Sequence, residues 1–162
     1  MHSSSPIQGR LDAGNRRFAV VAARFNSRLV DLLLAGAVDC LERHGASSDD
    51  IDVVRVPGAF ELPLALDALA ATGRYDALVA LAVVVRGETP HFDYVCNECS
   101  KGVSSVSQRH GLPVGFGVLT TEDSAQAAER CGGKVGNKGW EAAQAAVEMA
   151  DLLATIRDGQ PS

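Results

Sequence analysis

The sequence lacks a long apolar run, an excess of positive charge and a full phosphate-binding P-loop motif. No apolar run reaches the roughly 18 residues that a membrane-spanning helix requires, so we expect no membrane partner. The chain carries 15 Lys and Arg against 20 Asp and Glu, a net charge of −5. This balance disfavours a broad electrostatic surface for nucleic acid or anionic lipid, so we expect no nucleic-acid partner. Any anion-binding site must be local.

Cysteine is also scarce, with four in 162 residues. A chain of this length can bury a substantial core without cross-links, and "MHSSSPIQGR" lacks the apolar stretch of a secretory signal. We therefore expect a cytoplasmic protein whose thiols are reduced, with no disulfide framework. Residues 1–162 are predicted to form a single domain, with an N-terminal tail or strand at 1–10 and a C-terminal tail at 157–162.

Short β-branched runs alternate with helical patterns, which is typical of parallel strands joined by crossover helices. Helices should then cover both faces of the sheet. The N-terminal "PIQGRL", residues 6–11, reads as an extended segment without an evident partner in its own chain. The predicted strands are 17–26, 51–56, 77–85 and 113–119, and the predicted helices are 27–44, 58–73, a short one at 124–130 and one from about 138 to 156.

Ligands bind beyond the carboxyl ends of the strands in such sheets, and the loop after the third strand reads "RGETPH". Gly87 allows close backbone approach, Thr89 can cap a helix, and Pro90 suits the first helical position. Free N–H groups at a helix start favour phosphate, although a plain helix cap is an equal alternative. Glu88 would contribute through its backbone N–H, because its carboxylate would repel a phosphate.

His91 falls in the first turn of that predicted helix. There the helix dipole disfavours the protonated ring, which leaves a proton-accepting imidazole suited to general acid–base catalysis. A histidine at a helix start is more often a surface or packing residue, so this position alone does not assign a role.

Cys96 and Cys99 form a C-x-x-C pair, which permits half of a zinc site or a redox couple. No second ligand pair follows, and Cys96 would lie beyond the first helical turn. Structural thiols are therefore the favoured interpretation.

Several other residues allow both a functional and a structural interpretation. Phe25 and Phe116 would more often be core residues, and Arg130 precedes a glycine-rich stretch that is either a loop or an anion cradle. Glu61 could simply be a carboxylate that the helix dipole favours. Lys138 and Glu141 could be an exposed pair three residues apart on a helix.

Five segments, in this order, resemble the lumazine synthase family over about residues 8–152. They are "ARFN" (23–26), "VPGAFELP" (56–63), "RGETPHFDYV" (86–95), "FGVLTTE" (116–122) and "GNKGWEAA" (136–143). The resemblance implies a three-layer α/β/α sandwich of flavodoxin-like type, with a central four-stranded parallel sheet and an N-terminal strand added to a neighbouring subunit. It also implies a transferase of riboflavin biosynthesis that needs no metal and no organic cofactor.

The implied reaction condenses 5-amino-6-(D-ribitylamino)uracil with 3,4-dihydroxy-2-butanone 4-phosphate to 6,7-dimethyl-8-ribityllumazine, releasing phosphate and water. His91 would move protons, and Glu88, Thr89 and Arg130 would bind the phosphate. The remaining implied contacts are Phe25 on the pyrimidine ring, Ala59, Phe60 and Glu61 on the ribityl chain, backbone groups of Val83, Val84 and Val85 on the uracil, Phe116 on the apolar side, and Lys138 and Glu141 as second-tier members.

The resemblance further implies that Phe116, Arg130 and Lys138 come from an adjacent subunit, in a pentamer or a hollow icosahedral shell of twelve pentamers. The short "GGKVGNKG" favours the shell, for which riboflavin synthase is a candidate cargo. Ala82 and Val83 depart from the family, which more often has glycine and a small or hydroxylated residue there. A flavin- or lumazine-binding shell protein with weak or no catalysis is the alternative function.

Overall fold

A four-stranded parallel sheet forms the centre of the molecule, as the sequence predicts. The computed structural model describes residues 4–159. The spatial order is β2-β1-β3-β4, and every neighbouring pair is parallel. Compared with the prediction, the first strand is shorter and the fourth extends two residues further. The strands are β1 (Phe18–Ala23), β2 (Ile51–Val56), β3 (Ala77–Val85) and β4 (Val114–Thr121).

Five α-helices of the described residues cover the sheet, and they lie on both of its faces. The first and last helices share a buried core with one face, and the second and third share a core with the other. The predicted three-layer α/β/α sandwich of flavodoxin-like type is therefore confirmed. The helices are α1 (Ser27–Arg43), α2 (Leu62–Ala71), α3 (His91–His110), α4 (Ser124–Glu129) and α5 (Lys138–Asp158). None of the helices within residues 4–159 is long and apolar enough to cross a membrane.

The central strands are buried on both faces because each lies between two neighbours and two helical layers. Every residue of β1 is buried, and alternate side chains such as Phe18 and Ala19 belong to opposite cores. Each fully buried Leu, Val or Phe contributes about 1.5–3 kcal/mol to the free energy of folding. Because β3 is buried on both faces, its sequence is a continuous apolar run rather than an alternating one.

Several predicted helix boundaries differ from the structure by one or more residues. The predicted helix at 58–73 begins with a 3-10 turn, Ala59–Glu61, and becomes α-helical at Leu62. Pro63, which has no N–H to donate, fits the first turn of this α-helix. At the other end of the chain α5 continues to Asp158, so residues 157 and 158 belong to the helix rather than to the predicted tail. Residues 160–162 of that tail lie outside the described residues.

The glycine-rich stretch before α5, for which the sequence allowed a loop or an anion cradle, is a small hairpin. Its strands β5 (Cys131–Gly133) and β6 (Gly136–Asn137) pair antiparallel. Gly132 has a φ of 100° and Gly136 a φ of 86°, a conformation that favours glycine. Asn137 then caps α5 by accepting from the N–H groups of Gly139 and Trp140.

The N-terminal segment contacts α5 of its own chain, a partner that the sequence did not indicate. The Arg10 N–H donates to Asp151 Oδ2 in α5 at 2.7 Å, and the Arg16 guanidinium lies 3.1 Å from Asp151 Oδ1. Gly9 packs so closely that an added Cβ would meet the Glu148 carbonyl. The carboxylate of Asp151 is almost completely buried and anchors this segment. Residues 1–3 lie outside the described part of the chain.

Candidate active site

A cleft of about 570 Å³ opens at the carboxyl ends of β1, β2 and β3. The chain leaves β1 toward one face of the sheet through α1, whereas it leaves β3 toward the other face through α3. Ligands of doubly wound sheets bind at such a switch point. Nine of the predicted site residues line the cleft: Phe25, Ala59, Phe60, Glu61, Val83, Val84, Val85, Thr89 and His91.

The loop after β1 places an exposed aromatic ring at the mouth of the cleft. Phe25 is 75% exposed, so it is not the core residue that its position after a strand would more often indicate. The Phe25 N–H donates to the Pro57 carbonyl at 3.0 Å, and the Arg24 N–H donates to the Val56 carbonyl at 2.7 Å. These bonds tie the loop after β1 to the loop after β2.

Asn26 is a cleft residue that the sequence reasoning did not single out. It has φ 58° and ψ 40°, and its side-chain Nδ2 donates to the Val83 carbonyl at 2.7 Å. Asparagine tolerates this left-handed conformation better than most residues. An asparagine directly before a helix, after a strand and an aromatic residue, was the available signal.

The loop after β2 supplies a second exposed aromatic ring and a carboxylate. Phe60 is 61% exposed, whereas Ala59 is buried beneath the loop. The Glu61 N–H donates to the Gly58 carbonyl at 3.2 Å, which closes the 3-10 turn. Of the described residues that line the cleft, Glu61 is the single carboxylate, and none is Lys or Arg.

The floor of the cleft is the end of β3, which extends beyond the end of its pairing with β1. That pairing stops at Ala22 and Leu81. The Arg86 N–H donates to Thr121 at the end of β4. Because backbone groups alternate in direction along a strand, Val84 also faces β4 whereas Val83 and Val85 face the cleft side. Val83 and Val85 can therefore offer backbone groups to a ligand, and Val84 contributes its side chain.

The start of α3 forms one wall of the cleft, but its cap differs from the prediction. Pro90 is the N-cap and not the first helical residue, because its carbonyl already accepts from the Asp93 and Tyr94 N–H groups. The Thr89 side chain makes no capping hydrogen bond. His91 is therefore the first helical residue. Within the described chain, no protein acceptor is found for the backbone N–H groups of Glu88, Thr89 and His91.

Five predicted residues lie outside this cleft of the single chain: Glu88, Phe116, Arg130, Lys138 and Glu141. Phe116 is 45% exposed on β4, beside a separate groove along α3. Arg130 follows α4, and its Nη1 donates to the Gln126 carbonyl at 2.9 Å. Lys138 Nζ lies 3.8 Å from Glu141 Oε2. In the single chain these two residues therefore form an exposed pair on a helix, which is the structural alternative that their spacing allowed.

The cysteines are free thiols held in their neutral form. Burial raises the pKa of Cys40 and of Cys99 to about 11, and it also raises the pKa of Cys96 and of Cys131. A thiol needs its thiolate form to act as a nucleophile or metal ligand. Across residues 4–159 there is no group of three or more His, Cys, Asp or Glu placed to hold a metal ion.

The sheet order, the two helical layers and the cleft at the switch point define a flavodoxin-like α/β protein with a cleft of ligand size. A family model described as 6,7-dimethyl-8-ribityllumazine synthase matches residues 15–154. The chain therefore belongs to the lumazine synthase family.

Two relatives support the same assignment. The 6,7-dimethyl-8-ribityllumazine synthase of Desulfatibacillum aliphaticivorans is 54% identical over 146 residues, which cover 90% of this chain and 94% of the relative. That of Desulfovibrio desulfuricans is 53% identical over 153 residues, which cover 94% of this chain and 98% of the relative. The predicted family, the lumazine synthase function in riboflavin biosynthesis and the transferase class are confirmed.

Proposed function

We propose that the cleft at the ends of β1, β2 and β3 is where 5-amino-6-(D-ribitylamino)uracil and 3,4-dihydroxy-2-butanone 4-phosphate condense to 6,7-dimethyl-8-ribityllumazine. One observation carries this proposal: three loops that are distant in sequence bring exposed aromatic rings, a carboxylate, an imidazole and unpaired helix N–H groups to one cleft. Imine formation, phosphate elimination and ring closure need proton transfers between fixed partners, which such a cleft can supply.

The pyrimidine substrate would occupy the side of the cleft formed by the first two loops. Phe25 would stack on the pyrimidine ring, and Ala59, Phe60 and Glu61 would hold the ribityl chain, with the Glu61 carboxylate accepting from its hydroxyls. Backbone groups of Val83 and Val85 would bind the polar edge of the uracil. Both phenylalanine rings are largely exposed to water in the free chain. This supports the placement, because exposed apolar groups of this size often mark a surface that binds a ligand.

The phosphate substrate would bind at the start of α3. The N–H groups of Glu88 and Thr89 would donate to the phosphate, and the positive end of a 20-residue helix would favour its charge. Glu88 itself does not line the cleft, so it would contribute only its backbone N–H, next to Thr89 of the lining. His91, at the first helical position, would accept and return protons beside the leaving phosphate.

A neighbouring subunit would complete the site with Phe116, Arg130 and Lys138, with Glu141 supporting the lysine. The cationic partner of the phosphate must come from elsewhere, because no Lys or Arg is among the described residues that line the cleft. Arg130 is about one third exposed at its side chain and can therefore reach a second chain.

We further propose a cytoplasmic assembly of pentamers, twelve of which form a hollow icosahedral shell, with riboflavin synthase as candidate cargo. The short hairpin from Cys131 to Asn137 supports the shell, because this stretch resembles the tight connection of shell-forming members of the family. Residues 1–162 would act as one domain. The exposed residues 4–8, which precede the contact of the N-terminal segment with α5, would add to a neighbour's sheet. Sedimentation velocity and negative-stain imaging test the assembly: hollow spheres support the shell, and free pentamers reject it.

Mixing the two substrates with the purified protein and following the fluorescent lumazine tests the activity. We expect H91A to lower kcat by about 100-fold, within the usual range for loss of a general acid–base group. We expect R130A chiefly to raise the KM for the phosphate substrate. Tight flavin binding without turnover above the spontaneous condensation would instead indicate a carrier protein.

Mixed oligomers test the shared site. An equal mixture of H91A and R130A chains should recover about one quarter of wild-type activity, because about one quarter of the sites would pair two intact contributions in a random assembly. Activity no higher than the average of the two separate variants would reject a site shared between subunits.

A further inference from the structure

Arg86 joins two segments that are distant in sequence, the start of α3 and the loop after β4. Its Nε lies 2.8 Å from Glu122 Oε2 in the loop after β4, and its Nη1 lies 3.5 Å from Asp93 Oδ1 in the first turn of α3. The guanidinium carbon also lies 4.4 Å from the centre of the Phe92 ring, which lines the cleft. One planar side chain thus contacts both the helix start that carries His91 and the loop that leads to α4.

A continuous set of hydrogen bonds leads from Glu122 to Arg130. The Glu122 N–H donates to Gln126 Oε1 at 3.0 Å, and the Gln126 N–H donates to Asp123 Oδ1 at 2.8 Å. Arg130 Nη1 then donates to the Gln126 carbonyl at 2.9 Å. The orientation of the Arg130 guanidinium therefore depends on the same α4 turn that Arg86 contacts through Glu122.

We propose that Arg86 is a positioning residue that sets the α3 start, with His91, and the α4 turn, with Arg130, in a fixed relation to each other. This inference rests on the proposed function, in which His91 serves the site of its own chain and Arg130 serves the site of a neighbour. Arg86 then influences two active sites, although it does not line the cleft of the described chain.

The two ion pairs of Arg86, with Glu122 and with Asp93, should affect different steady-state constants. R86Q should lower kcat and raise the KM for the phosphate substrate, each by about 10-fold, because displacements below 1 Å at a reacting centre are costly. E122A should reproduce the rise in KM with kcat nearly unchanged, and D93A the fall in kcat. R86K keeps the charge but lacks the planar fork, so it should recover part of each loss.

R43Q is the matched control. Arg43 forms an exposed pair with Asp39 on α1, at 3.0 Å, and should leave both constants unchanged. The KM for the pyrimidine substrate should stay constant in every variant. R86Q kinetics equal to those of R43Q, or an equal rise in both KM values, would overturn the proposal. If R86Q does not assemble, E122A and D93A provide the same test.

Diluted wild-type chains test the effect across subunits. A few wild-type chains in an excess of H91A chains provide the reference, and the same chains in an excess of R86Q/H91A chains provide the comparison. A higher KM for the phosphate substrate in the second mixture supports action on the neighbour's site, and equal KM values refute it. The failure of the shared site itself would be recognised separately, because H91A and R130A chains would then not complement each other.

Discussion

The side-chain amide of Asn26 donates to the backbone carbonyl of Val83, with 2.7 Å between Nδ2 and the oxygen. This bond connects the two central strands beyond the last backbone pair, which joins Ala22 to Leu81. It also holds Asn26 in the left-handed conformation and fixes the direction in which Phe25 leaves β1. The shape of the cleft mouth therefore depends on a side-chain hydrogen bond that lies beyond the last backbone pair of β1 and β3.

Two replacements of Asn26 should distinguish the contribution of its hydrogen bond to stability from that of its backbone conformation. N26A should lower the free energy of unfolding by about 2 kcal/mol, since it loses about 1 kcal/mol of hydrogen bonding and strains a left-handed position by about 1 kcal/mol. N26G should lower it by about 1 kcal/mol, because glycine relieves the strain but does not restore the hydrogen bond. Urea unfolding at a fixed protein concentration measures both, and equal losses would contradict the strained conformation.

Truncating Phe25 should affect binding much more than stability. The side chain is 75% exposed, so F25A removes little buried area. We expect the KM for the pyrimidine substrate to rise by about 10-fold, because stacking on a base contributes about 1–3 kcal/mol. I156A, at a 55% exposed position near the end of α5, is the control and should leave this KM unchanged. Parallel KM changes in both variants would reject stacking at Phe25.

Gly139 marks the closest approach of α5 to α1. A Cβ added there would lie 2.1 Å from the Leu33 carbonyl oxygen, and the backbone cannot yield as a side chain can. G139A should therefore lower the free energy of unfolding by about 1–2 kcal/mol, even though alanine gains about 1 kcal/mol in helix propensity. G87A, where no atom lies within 4 Å of an added Cβ, should change stability by less than about 0.5 kcal/mol. A more stable G139A variant would contradict this packing.

The buried carboxylate of Asp151 should make stability depend on acidic pH. The Arg10 N–H, followed by the guanidinium groups of Arg10 and Arg16, holds the pKa of Asp151 below its usual range in spite of burial. A lowered folded-state pKa contributes stability above the unfolded value, near 4, and that contribution is lost as pH falls through the folded pKa.

D151N should therefore be less stable than the wild-type chain by about 2 kcal/mol at pH 7, since hydrogen bonds to charged groups contribute about 1.5–3 kcal/mol. The difference should shrink below about pH 4. Unfolding titrations from pH 7 to pH 2.5 measure it. A difference that stays constant over this range would contradict the role assigned to the charge.

The sequence predicts the layers of the fold well because they depend on local patterns. The nine apolar residues of β3 and the glycines that end α1 and α2 are readable without tertiary information. The β5–β6 hairpin was missed because glycines with positive φ, rather than β-branched residues, build it. The contact of Arg10 with Asp151 joins residues 141 positions apart, which no local pattern can indicate.

The candidate site also combines features that local sequence indicates with features that depend on long-range contacts. The segments around Phe25, Phe60 and His91 are recognisable from motif and order, and the fold brings them together. The direction of the Val84 backbone depends on the register of β3 with β4, and the cap at Pro90 depends on which carbonyl accepts the first helical hydrogen bond. The links of Arg86 to Glu122 and Asp93 require the folded arrangement of β3, β4 and α3.

A crystal structure with inorganic phosphate and a non-reactive analogue of the pyrimidine substrate is the most direct test of the site. We expect the phosphate to accept from the Glu88 and Thr89 N–H groups at about 2.7–3.1 Å. We also expect the His91 ring to face the space between the phosphate and an analogue stacked on Phe25. Phosphate bound away from the start of α3, or a His91 ring directed out of the cleft, would contradict it.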